Sequence, residues 1–374
     1  MGAMPPGLKS EIRKMNKEGI LSRLREENVE KLETLWREAD NVRAAHVGDA
    51  VHLRGLIEIS NVCNRRCAYC GLRADNRSIG RYRMTTEEIM LCVHDAVDYG
   101  YGTVVLQSGE DEGITGSWMS ELIRRIKAET GLAVTLSLGE RAGEELLAWR
   151  KAGADRYLIR FETSNRKLYE LIHHRKGARP SDRLAILENL RTMGYETGSG
   201  VMIGIPGQTY EDLARDIILF RELDLDMIGV GPYLPHPETP LGKNDGDFPA
   251  AGVEQVPNTE LMTYKVIALS RLACPEANIP STTALATVNR QEGRELGLQR
   301  GANVVMPNLT PPEYRVLYEI YPGKACIHET AGACASCLNM RIISINRRTG
   351  TGPGGRRKRA LTHMGQNLNV NERG

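Results

Sequence analysis

Eight strand signals alternate with amphipathic helical stretches along 374 residues, and polar side chains gather where those strands would end. These observations predict an α/β fold: a (β/α)8 barrel of the TIM type with an N-terminal helical extension and a C-terminal Cys-containing extension. The expected boundaries are a helical extension over 1–50, the barrel over 51–310, an extension with a second Cys group over 311–345, and a flexible basic tail over 346–374.

Met1 to Pro6 is set aside as a loose terminus. Leu32, Leu35, Trp36, Ala39 and Val42 then recur with helical spacing and describe one apolar stripe. Strand signals follow at 56–62, 103–107, 133–138, 157–161, 198–204, 227–232, 279–285 and 303–307. Helix starts lie between them, such as Thr85 with Glu88 as a capping box ahead of Ile89, Cys92, Val93 and Val97. Strands that alternate with helices pair in parallel through right-handed crossovers. An open doubly wound sheet is the alternative. Closure is preferred because Gln107, Ser108, Glu110, Ser137, Arg160, Glu162, Thr282 and Thr283 fall at the ends of different strands, which all meet only in a closed sheet.

An apolar content of 41%, a charged content of 26% and a net charge of +2 describe a globular enzyme and give no overall electrostatic case for nucleic acid or membrane binding. No apolar run approaches a spanning helix and the N-terminus lacks a signal-peptide core, so a cytoplasmic, monomeric protein without disulfides is expected. Six of the eight cysteines fall into two groups, which points to metal or redox chemistry. Cys92, on an apolar helix face, and Cys274, before Pro275, are expected to be packing thiols. From Asn346 the chain turns basic and Gly-rich without interleaved aromatics, which suits a solvated tail or one that docks an acidic partner rather than a nucleic-acid arm.

The strongest motif is Cys63-Asn-Arg-Arg-Cys67-Ala-Tyr-Cys70, immediately after the first strand. Three thiolates at this spacing can hold a 4Fe-4S cube with one iron left open to a chelating small molecule. Zinc would need a fourth ligand, which only distant His236 or His328 could supply. Glu162 can accept from an ammonium or from hydroxyls, Arg183 can fork onto a carboxylate, and the turn Gly204 to Thr209 would let backbone approach a ligand closely. The second group, Cys326, Cys334 and Cys337, follows the eighth strand and could hold a second iron–sulfur cluster or zinc, with His328 as a possible partner.

Cys63, Cys67, Tyr69 and Cys70 resemble the signature of the radical S-adenosylmethionine (SAM) superfamily. Ser60 to Cys63, Tyr69 to Arg73, Arg81 to Thr85, Val105 to Glu110, Thr135 to Glu140, Gly231 to Pro237, Asn278 to Thr283, Gly301 to Asn308 and Tyr321 to Lys324 are similar to the HydE family, the radical SAM maturases of FeFe-hydrogenase. The similarity spans about residues 20 to 345. Two departures are Phe161, where the family is expected to carry His, and an insertion around Asp245 to Pro257.

The resemblance implies a biotin synthase-like fold and a 4Fe-4S cluster on Cys63, Cys67 and Cys70 whose open iron binds SAM. Reductive cleavage would yield methionine and a 5′-deoxyadenosyl radical. It places Tyr69, Glu162, Arg183 and Met202 at SAM. Gln107, Thr135, Arg160, Thr282 and Thr283 would line the substrate end, with Tyr318 and Tyr321 closing it from below. The implied substrate is a small iron species bearing cysteine, carbon monoxide and cyanide. Implied partners are an electron donor such as flavodoxin or ferredoxin and the other hydrogenase maturases. A sister radical SAM enzyme acting on an amino acid, such as a methylornithine synthase, and a non-enzymatic iron–sulfur or zinc carrier remain as alternatives.

Overall fold

A computed structural model describes residues 15–173, 181–245, 248–249, 252 and 254–356. Its strands are β1 (Ala50–Ser60), β2 (Thr103–Ser108), β3 (Ala133–Ser137), β4 (Arg156–Leu158), β5 (Glu196–Ser199), β6 (Met202–Ile203), β7 (Met227–Ile228), β8 (Gly231–Pro232), β9 (Val304–Val305) and β10 (Arg348–Thr349). Parallel pairing runs β1-β2-β3-β4-β5-β7. Single bridges Met227–Asn278 and Pro280–Val304 continue the ring, and β9 pairs with β1 at His52 and Leu53. The barrel therefore closes with eight staves, counting the segment around 278–280 as the seventh. Val104, Leu106, Val134 and Leu136 are fully buried, as expected of parallel strands covered on both faces.

The fifth and sixth staves each break once. A Cβ added at Gly200 would lie 1.7 Å from the Gly229 carbonyl oxygen, so two backbones touch between β5 and β6 on one stave and between β7 and β8 on the other. The apolar stripe of the N-terminal extension is buried on the helix Val29–Val47, and the capping box opens the helix Thr86–Asp98 as expected. Cys92 and Cys274 are both buried.

Two expectations need correction. The strand expected over 279–285 is confined to bridges at Asn278 and Pro280, and a helix runs from Thr283 to Val288. Thr282 caps it by accepting from the Leu285 N–H, and this cap outweighs the β propensity of the Thr pair.

Nor is the whole stretch after Asn346 a loose tail. Residues 347–356 run across the amino-terminal end of the barrel, while 357–374 lie outside the described residues. β10 pairs with the start of β1. The Pro353 carbonyl accepts from Thr103 and Arg156, and the Gly354 carbonyl accepts from Arg54 and Asn278. Arg356 reaches Asp224 at 2.7 Å, Asp226 at 3.2 Å and Glu276 at 3.4 Å. Basic residues that read as solvated from composition find carboxylates under the barrel. Arg356→Ala would remove a guanidinium that faces the fully buried Asp226, and we expect a loss of about 3 kcal/mol in urea unfolding.

Among the described residues, no helix is long and apolar enough to cross a membrane.

Candidate active site

The chain leaves β1 at Ser60 and forms the loop that carries Cys63, Cys67 and Cys70. Arg81 organises it from below: its guanidinium donates to the carbonyls of Asn61 (2.7 Å), Leu72 (2.9 Å), Arg73 (2.8 Å) and Asn76 (2.9 Å). The Asn61 side chain donates to the Gly80 and Leu317 carbonyls, and the Ala68 and Gly71 N–H groups donate to the carbonyls of Ile172 and Ile320. Gly109 is required here, because a Cβ would lie 2.3 Å from the Val62 oxygen and 2.7 Å from the Cys63 Cβ.

Burial raises all three thiols, with Cys70 pushed up to about 12 and Cys63 and Cys67 moved in the same direction. Mutual repulsion among the sulfurs adds to burial at Cys67 and Cys70. Such thiols lose their protons readily only to a cationic centre. Among the described residues neither cysteine trio brings its three sulfurs within 4.8 Å of one another. A cube does not need its three thiolates to converge on one point, because its ligands sit on different irons, and this suits Cys63, Cys67 and Cys70.

The three cysteines form one end of a chamber of about 350 Å3 inside the barrel mouth, and every residue expected at SAM or at the substrate lines that chamber. Tyr69 and Met202 belong to an apolar cluster with Ala68, Leu168, Ile172 and Ile205 beside the cysteine loop. Gln107 Nε2 donates to the Tyr318 hydroxyl at 3.2 Å. The Thr135 hydroxyl is buried and has no hydrogen-bond partner among the described residues. Thr282 and Thr283 meet the chamber at the start of their short helix. Tyr318 and Tyr321 line the chamber near Glu58.

Arg160 and Glu162 both reach the chamber, but not through strand alternation, since β4 ends at Leu158. Glu162 is left-handed at φ 63°, and its backbone bonds to Gly200 and Met202 hold it there. Arg160 NH2 lies 3.1 Å from the Glu162 carboxylate and donates to the Val201 carbonyl at 2.6 Å, so the two side chains act as a pair rather than facing separate ends. Arg183 is already engaged with Glu140 (3.1 Å), the Arg160 carbonyl (2.6 Å) and His173 Nε2 (2.6 Å). The Gly204 to Thr209 turn also differs from expectation. A Cβ on Gly204 would meet the Asn258 backbone at 2.5 Å and one on Gly207 would meet the Pro249 ring at 2.7 Å, so its glycines make room for other parts of the chain rather than for a ligand.

Sequence reasoning missed several groups. Glu58 and Lys324 form a buried ion pair in the chamber wall, and Asn308 donates to the second Glu58 oxygen at 2.9 Å. A charge inside the apolar run 53–59 was the available signal. Arg54 lines the deep end, where burial and then Arg156 push its guanidinium down to about 9. Glu110, Glu140 and His173 place ligand atoms within 4.8 Å of one another, but Arg65 bridges both carboxylates at 2.7 and 2.6 Å, so this is an ion-pair network rather than a metal site.

The second cysteine group lies apart, on the loop after Lys324 and the helix Ala331–Ser344. Cys326 contacts Cys334 and accepts from Arg294 at 3.4 Å, Cys337 is exposed, and His328 is also exposed. His236 is buried against Gly71 instead, with Nδ1 accepting from the Glu238 N–H.

Residues 57–219 match the model of the Radical SAM superfamily. Over 327 residues, 87% of this chain and 89% of the relative, the sequence is 46% identical to the [FeFe] hydrogenase maturase subunit HydE of Thermotoga maritima. The chain belongs to the HydE family of radical SAM enzymes. A 3-methylornithine synthase of Methanosarcina acetivorans is 30% identical over 281 residues, 75% of each chain. The crystal structure of methylornithine synthase (PylB) superimposes with a TM-score of 0.75 at 24% identity, covering 92% of this chain and 97% of that one. This HydE-family chain thus shares its barrel with enzymes named for a different product.

Proposed function

We propose that this protein cleaves SAM reductively and directs the resulting radical at a small iron–cysteine precursor bearing carbon monoxide and cyanide, in assembly of the FeFe-hydrogenase H-cluster. The observation that carries this reading is a single chamber with three cysteines at one end and a guanidinium, Arg160, with the buried hydroxyl of Thr135 in its wall.

When bound on Cys63, Cys67 and Cys70, a 4Fe-4S cluster supplies the electron that breaks the sulfonium of SAM and leaves a 5′-deoxyadenosyl radical. The chain's own residues bind and orient. Tyr69 and Met202 offer the apolar wall for the adenosyl group. Glu162 accepts from the ammonium or ribose hydroxyls, and Arg183 presents its cation to the carboxylate while Glu140 and His173 fix its plane. Arg160 and Thr135 hold the anionic part of the substrate, joined by Gln107, Thr282 and Thr283. Tyr318 and Tyr321 exclude water on the side of Glu58. A reducing partner such as flavodoxin or ferredoxin and the other maturases complete the reaction in the cytoplasm.

The test is anaerobic reconstitution with iron, sulfide, SAM and a reductant, followed by quantitation of 5′-deoxyadenosine. Release supports the reading, whereas a metal carrier would release none. On this reading Cys326, Cys334 and Cys337 hold a second cluster or zinc that SAM cleavage does not need. Their triple Ala variant is expected to carry less metal yet keep SAM cleavage within about twofold of the parent, as for changes remote from the reacting groups. Complete loss in a folded triple variant would make the trio part of the mechanism.

A further inference from the structure

Glu162 stands in a conformation that costs a non-glycine residue about 1–3 kcal/mol, so the surrounding structure must impose it. The turn 161–165 is fastened to the helix Tyr210–Glu222 at three points. Phe161 packs on Phe220 with ring centroids 5.7 Å apart, the Ser164 N–H donates to Asp216 Oδ1 at 2.6 Å, and Asn165 Nδ2 donates to Asp212 Oδ1 at 3.1 Å. Residues 212, 216 and 220 are spaced by four and therefore share one helix face. Two of the three anchors have ordinary explanations. Asp212 also completes the capping box with Thr209, and Phe161 and Phe220 are core.

Asp216 has no such second duty. It is fully buried among Leu213, Ala214, Ile217 and Phe220, and its other oxygen, Oδ2, finds no hydrogen-bond partner among the described residues. Burial pushes the carboxyl up to about 7 against the opposing hydrogen bonds from Ser164. An acid at an apolar helix position weakens the core, and an apolar side chain would fill the space better. What it supplies is one strong acceptor directly beneath the turn that aims Glu162.

We propose that Asp216 is a positioning residue: by clamping the Ser164 amide it fixes the left-handed Glu162, and thereby sets the affinity for SAM. The inference rests on the reading of Glu162 as a SAM contact.

The test uses the full-length protein, reconstituted but unreduced so that no turnover occurs. SAM binding is measured by equilibrium dialysis, and exchange of the Ser164 amide by mass spectrometry. Asp216→Leu removes the acceptor and is expected to weaken SAM binding about tenfold and to speed Ser164 exchange, with cluster content unchanged. Asp216→Asn keeps a neutral acceptor and is expected to restore most of the affinity, to within about threefold of the parent, which a packing role alone would not do. Faster Ser164 exchange with parental SAM affinity in the Leu variant would overturn the proposal. So would equal loss of affinity in both variants. Should the Leu variant not fold, Ser164 exchange and SAM affinity in the Asn variant decide: affinity that stays parental while exchange quickens contradicts the clamp. Glu162→Gln separates the two readings. If it binds SAM as the parent does, the role of Glu162 fails; if it binds weakly while Asp216→Leu binds normally, only the clamp fails.

Discussion

Replacing Cys63, Cys67 or Cys70 by alanine, one at a time, is expected to abolish release of 5′-deoxyadenosine. A cube held by three thiolates keeps one iron open; with two thiolates a second iron is exposed and the cluster becomes labile. Among the described residues, His236 packs against Gly71 and Glu110 is tied to Arg65, so neither is set up to replace a sulfur. The loop itself should survive, because Arg81 and Asn61 hold its backbone without using any sulfur. Each variant should therefore fold, lack the visible absorption of the cluster, and release less than about a thousandth of the parent's product, the scale of losing an essential catalytic group. Turnover at the parental rate in any one of them would remove the three-thiolate assignment.

The second large effect concerns Arg160. Its side chain reaches the chamber, and its Nε is buried with no hydrogen-bond partner while NH2 is spent on Val201 and Glu162. The planar fork can thus keep one edge on the wall and offer the other to an anion, which a lysine ammonium cannot do. Arg160→Lys should preserve cluster content, because the cysteine loop is untouched. SAM affinity should stay near the parent's, because an ammonium can still pair with Glu162. Substrate use should fall by about tenfold to a hundredfold, the equivalent of about 1.5 to 3 kcal/mol for one charge-assisted bond. Steady-state kinetics of hydrogenase maturation against precursor concentration measures this. A Lys variant that matures hydrogenase like the parent, or one that loses SAM binding first, would show that Arg160 is not the substrate's clamp.

The barrel was legible because its strands are buried on both faces, so each wrote a short apolar run into the sequence. Its interruptions were not. The break at Gly200 and Gly229 comes from contact between two distant backbones, and neither glycine reveals its partner locally. The seventh stave is shorter than its apolar run suggests because Thr282 and Thr283 favour a strand by propensity and a helix start by capping, and the Leu285 N–H decides for the helix. Composition misread residues 347–356, since charge counted along the chain cannot show that Asp224, Asp226 and Glu276 wait beneath the barrel. At the site, the cysteine spacing spoke for itself, whereas Arg81 and Lys324 bond to residues that no local pattern connects with them. Phe161 is the converse case: a departure from the family pattern on paper, it is a core side chain packed against Phe220.

The most direct test of the central claim is in vitro maturation of an apo FeFe-hydrogenase with the other maturases, SAM and a reductant, with this protein either supplied or left out. Hydrogen evolution that appears only when the protein is present, and that is lost with Cys67→Ala, is the predicted result. Contradiction would be a reconstituted protein that cleaves SAM yet leaves the hydrogenase inactive, since the chamber would then serve a different substrate.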